Sequence, residues 1–223
     1  ASVVMTAILA IQALVFQDGG VLALGTNVVN MALVGVAVGY LPYALWGRGR
    51  RRRAAMFVGA ALSVLASALM ALSELAVSGI RMSGMVLITA IGLFAVSAIL
   101  EGAITVAVMQ ALERIQPKAA RLERVSLVNQ SQVLAIIGLA AVLLGTVGVL
   151  LASTAPDGIA RLGEQTGITL RIRTLLHTPL ANYHAAFLPS DMVGKIVAGL
   201  AGIALVYAAC VLVGRAVVRN RSI

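Results

Sequence analysis

Long uninterrupted apolar blocks dominate the chain. Six of them can be marked: Ser2–Phe16, Val21–Trp46, Ala54–Val77, Met85–Leu112, Val133–Ser153 and Gly194–Val217. A helix rises about 1.5 Å per residue, so roughly 20 apolar residues cross a hydrocarbon core about 30 Å thick. Several blocks meet that length. Ser2–Phe16 is short for a full span, as expected of a block whose beginning lies upstream of the first residue. The pattern predicts an all-α integral membrane protein, a polytopic helix bundle with about six transmembrane segments.

Composition supports the same class. Of 223 residues, 61% are hydrophobic and 11% charged, and the mean hydropathy is +1.02. A soluble domain is nearer half apolar and a quarter charged. The net charge of +9 would fit a nucleic-acid partner, but the basic residues sit in short runs between apolar blocks and aromatics make up only 4%. That placement excludes a nucleic-acid surface and matches loops held on the cytoplasmic side by their positive charge. Arg48, Arg50, Arg51, Arg52 and Arg53 form one such run, Arg114, Lys118, Arg121 and Arg124 a second, and Arg215, Arg219 and Arg221 a third. The short connections Gln17–Gly20 and Ser78–Gly84 carry Arg81 as their single basic residue. Both ends are therefore expected in the cytoplasm, with the long connection 154–193 outside and the plasma membrane as location.

The polar linker 117–132, with Pro117 and its basic residues, divides the chain. Residues 1–116 read as a core truncated at its start, and 133–223 as a two-helix module with the external loop 154–193. The single cysteine, Cys210, allows neither an intrachain disulfide nor a cysteine metal cluster.

Few residues could carry chemistry. Glu74 and Glu101 interrupt apolar stretches. A carboxylate at mid-bilayer costs about 3 kcal/mol on insertion scales, so it must face protein or water. Glu74 lies near a helix end, where it could rest at the interface. Glu101 is deeper, and either a helix-packing hydrogen bond or a substrate role would account for it. Asn27 and Asn30 are three apart and share one face of a regular helix. They either orient a ligand or cross-link helices. His177 and His184, the only histidines, are seven apart, too far for the usual ligand spacing of four. No nucleophile triad, P-loop or dinucleotide glycine run is present, so the chain reads as a non-enzyme with no bound cofactor.

Several strings resemble the M-type membrane subunit of cobalt/nickel transporters, the substrate-capture component of an energy-coupling factor (ECF) system. They are Leu9-Ala10-Ile11-Gln12-Ala13-Leu14-Val15-Phe16, Asp18-Gly19-Gly20, Leu22-Ala23-Leu24-Gly25-Thr26-Asn27, Asn30-Met31, Glu74-Leu75-Ala76-Val77-Ser78-Gly79, Glu101-Gly102-Ala103-Ile104-Thr105 and Gln116-Pro117. Ser153-Thr154-Ala155-Pro156-Asp157-Gly158-Ile159 and Ser190-Asp191, between two helices, resemble the small N-type subunit often fused behind M. The resemblance implies capture of Ni²⁺ or Co²⁺ as transported substrate outside and its inward release by a transmembrane T subunit and two ATPases. It implies metal ligands at a free N-terminus, a histidine beside it and a second histidine in an early external loop. None of these has a counterpart here, so the expected ligands lie outside this sequence, and Phe94-Ala95-Val96-Ser97 stands where many relatives carry a histidine. Asn27, Asn30 and Glu101 are then the expected substrate-side residues. Two other classes remain open at this point: an ion-coupled secondary transporter with Glu101 as relay, and a non-transporting scaffold.

Overall fold

The computed structural model describes residues 1–80, 82–115, 138–143, 146 and 178–219. Every regular element among them is helical. In order these are α1 (Ser2–Ile11), α2 (Gly20–Asn27), α3 (Val36–Trp46), α4 (Arg52–Val77), α5 (Gly84–Ile115) and α6 (Asp191–Arg219). Two π-helical turns, Gln12–Phe16 and Val28–Gly35, extend α1 and join α2 to α3.

Among the described residues, four helices are long and apolar enough to cross a membrane: Gly20–Trp46, Gly49–Val77, Gly84–Arg114 and Asp191–Ala216. They match the second, third, fourth and sixth sequence blocks within a few residues. At 26 to 31 residues each is about 40 Å or longer, enough to cross with some tilt. Ser2–Phe16 is a shorter apolar helix. The Val133–Ser153 block falls mostly outside the described residues, as do the linker 117–132, the external loop up to residue 177, and His177.

The described residues form two compact units, and the division falls inside the Gly20–Trp46 span, between Val28 and Val29. In the unit that holds α3, α4 and α5, consecutive helices pack on each other. Without water to expel, helices in lipid associate by close packing, which favours small residues at the contact. On α4 these recur every fourth position: Ala55, Gly59, Ser63 and Ser67. Gly39 on α3 lies against Gly59, and a Cβ on Gly39 would stand 3.0 Å from the Gly59 carbonyl oxygen. A Cβ on Gly59 would run into the Gly39 carbonyl in turn. Gly102 of α5 receives the Phe57 ring, 2.8 Å from where its Cβ would be. Farther along, Leu72 and Ala90 are buried between α4 and α5, with Leu75, Val86, Leu87 and Phe94 packed around them. The opposite end is tied by an ion pair, Arg52 to Glu113, at 2.6 Å.

In the other unit, α1 packs on α6. Phe16 is 2% exposed and stacks on Tyr183 with ring centroids 4.6 Å apart. Gly202 of α6 lies against the tip of the Phe16 ring, where a Cβ would come within 3.2 Å of Cζ. The chain leaves α1 through Gln17, Gly19 and Gly20, all at positive φ. Glycine reaches that conformation at little cost, which is what the Asp18-Gly19-Gly20 turn signal supplies.

Candidate functional site

Asn30 is the one buried polar residue among the described side chains, at 3% exposure. It sits in the π-helical turn Val28–Gly35, a local widening that is rare and recurs at functional sites. Its Nδ2 donates to Glu74 Oε2 at 2.9 Å. A carboxyl oxygen of this kind accepts, so the amide nitrogen faces it. Asn30 Oδ1 is buried with no hydrogen-bond partner among the described residues.

The Asn30 backbone is held as well. Ser67 Oγ lies 3.0 Å from the Asn30 carbonyl oxygen and 2.8 Å from the Ser63 carbonyl oxygen one turn back on α4. Its single proton is shared between the two. Gly35 makes this approach possible, since a Cβ there would stand 2.5 Å from Ser67 Oγ. The seam of small residues thus ends in a polar node made of Asn30, Glu74 and Ser67. Glu74 is three residues from the end of α4, so the node lies at the end of the bundle opposite the Arg48–Arg53 turn.

The other predicted positions have different surroundings. Asn27 is half-buried, and its Nδ2 lies 3.1 Å from where a Cβ on Gly19 would be, which the glycine leaves clear. Glu101 is exposed midway along α5. No hydrogen bond or ion pair joins it to another described residue. His184 Nε2 lies 3.4 Å from Asp191 Oδ1, and Lys195 Nζ donates to Asp191 Oδ2 at 2.7 Å.

A second polar contact has no signature in the sequence. The Tyr183 hydroxyl donates to Asp18 Oδ2 at 3.0 Å and accepts from Gln12 Nε2 at 3.4 Å. Thr178 Oγ1 donates to the Val15 carbonyl at 2.5 Å. Burial, then the negative charge of Asp18, pushes the Tyr183 hydroxyl up from its ordinary 10 to about 12. Residues 178–183 are thereby fastened to the end of α1. Beside this contact lies a cavity of about 890 Å³, lined by residues that include Ile11, Phe16, Gly202 and Tyr207. Its largely apolar walls offer little to a hydrated cation.

These features define a polytopic helical membrane protein with a polar node set into an otherwise apolar bundle. The family described as CbiM, cobalt uptake substrate-specific transmembrane region, matches residues 1–119. The chain belongs to that family. A fused nickel transport protein NikMN of Archaeoglobus fulgidus is 53% identical over 55 residues, 25% of this chain and 19% of the relative. A fused nickel transport protein LarMN of Lactiplantibacillus plantarum is 40% identical over 75 residues, 34% of this chain and 23% of the relative. A metal transport protein of Haloquadratum walsbyi is 36% identical over 114 residues, 51% of this chain and 52% of the relative. The chain spans about half or less of the length of these relatives. No solved structure matches it. The resemblance drawn from the sequence strings and the family match agree.

Proposed function

We propose that this chain is the core of the substrate-capture component of an ATP-driven ECF-type importer for nickel or cobalt, energised in the plasma membrane by a T subunit and ATPases. The observation that carries this reading is the family match over residues 1–119. The names of the fused nickel transport relatives support it and favour an N-type module behind the core. The cation is substrate rather than cofactor, and the chain is not an enzyme.

The Asn30–Glu74 node is assigned a positioning role. Its amide and carboxylate lie near the end of the bundle expected to face outward, where they hold the backbone around the capture site. Asn27 is assigned the same kind of role, and Glu101 contributes a carboxylate midway along α5. Metal uptake by cells carrying the full-length protein, with and without T and ATPase subunits, tests the reading. Uptake that needs all components supports it. Uptake that persists without any ATPase would replace it with the ion-coupled alternative.

A further inference from the structure

The turn between the Gly20–Trp46 and Gly49–Val77 spans lies at a membrane surface, because both helices end there. Arg48, Arg50, Arg51 and Arg53 are exposed in it. Arg52 differs: it is half-buried and paired with Glu113 at 2.6 Å. None of the other four makes an ion pair among the described residues. The turn Gly49–Arg51 and the first turn of α4 carry no acidic residue and no side-chain cap. Four cations are thus crowded where a helix begins, a position that ordinarily favours negative charge. The crowding calls for an anion from outside the bundle.

The neighbouring residues indicate which anion. Tyr40, Tyr43 and Trp46 lie on the last two turns of α3, just before the arginines. Tyr40 is 61% exposed, and the Tyr40 and Tyr43 rings pair at 6.3 Å. Aromatic side chains at this depth sit at the headgroup level, with their apolar bodies toward the acyl chains. Guanidinium groups fit phosphate oxygens two at a time. We infer that Arg48, Arg50, Arg51 and Arg53, with the Tyr43–Trp46 rim, form a binding site for the headgroups of anionic phospholipids. Arg52, held by Glu113, fixes the turn rather than contacting lipid. This inference rests on the membrane-spanning reading of the helices and not on metal transport.

Trp46 is the only tryptophan in the chain and provides the probe. The full chain is placed in bilayers containing brominated phosphatidylglycerol or, separately, brominated phosphatidylcholine at equal mole fraction, and quenching of Trp46 is measured. Quenching should report an anionic-over-zwitterionic preference of about fivefold, in line with the attraction of basic residues for anionic lipid. The preference should fall toward one in R48Q/R50Q/R51Q/R53Q, which keeps Arg52–Glu113, and as sodium chloride is raised in the wild type. Inorganic phosphate at matched ionic strength should not displace the lipid beyond that salt effect. Equal quenching by the two lipids in the wild-type chain would overturn the site, whatever the variant does. A preference that survives in a folded quadruple variant would also overturn it, as would displacement by phosphate alone.

Discussion

Asn30 donates from Nδ2 to the Glu74 carboxylate at 2.9 Å, while its own buried Oδ1 has no partner among the described residues. The amide therefore depends on Glu74 for its one side-chain bond. Glu74→Ala should cost about 1–3 kcal/mol by leaving a buried donor unmade. Glu74→Gln retains an acceptor oxygen and should cost less. Unfolding in mixed detergent micelles measures both. Equal, negligible losses would show that the bond contributes nothing to stability.

The proposed positioning role extends the test of this pair to transport. Asn30→Ala in the full-length protein should lower metal uptake at limiting concentration by about 10–100-fold, the range for groups that orient ligands, with the protein still present in the membrane. Asn27→Ala should act in the same direction. Normal uptake by both variants would remove the amides from the site.

The glycine seam gives a packing test with an internal control. Gly59→Ala places a methyl against the Gly39 carbonyl and should destabilise by about 1–3 kcal/mol, as overpacking does. Gly92 has open space around its would-be Cβ. Gly92→Ala should be neutral, or stabilising by up to about 1 kcal/mol through helix propensity. The order of the two variants in an unfolding titration is the measurement, and the reverse order would refute the close approach of α3 and α4.

Tyr183 supplies a prediction in alkaline pH. Its hydroxyl is raised from 10 to about 12, so the folded chain holds this proton more tightly than the unfolded one. The contribution is fully present below pH about 10 and is lost as pH rises through about 12. Tyrosinate absorbance near 295 nm should show a late-titrating group that disappears in Tyr183→Phe. Residues 178–183 should become accessible to protease over the same pH range. A tyrosine titration unchanged by the substitution would count against the Asp18 contact.

Topology can be tested with single cysteines in a Cys210→Ser background. Labels at Arg50→Cys and Phe187→Cys should react from opposite sides of the membrane, since the arginine runs are expected in the cytoplasm. Reaction from one side would sink the assignment.

The four long spans were legible because length and apolarity alone decide whether a helix can cross a bilayer. Glu74 and Asn30 were each visible as polar interruptions, but not as a pair. They are 44 positions apart, and nothing local encodes a contact set by how two helices cross. Spacing placed Asn27 and Asn30 on one face, which assumes a regular helix. The π turn beginning at Val28 changes that angular relation, and one amide is buried while the other is half-buried. The Phe16–Tyr183 stack went unread for the same reason as the Asn30 pair: its two halves lie at opposite ends of the sequence. Ser63 and Ser67 read only as small residues, yet Ser67 also supplies a hydroxyl to the Asn30 carbonyl.

The widened turn at Val28–Gly35 has a consequence for how this sequence can change. Such a turn accommodates a residue more than an α-helix of the same rise. Loss of one residue within it is absorbed by relaxation to regular geometry, whereas loss of one from the regular helix that follows, at residues 36–38, would rotate one end against the other by about 100°. Asn30 could then keep its place beside Glu74, or Gly39 its place against Gly59, but not both. Substitutions here can be judged one at a time, whereas a change in length cannot: the helix works as a keyed shaft, and its residue count sets the key.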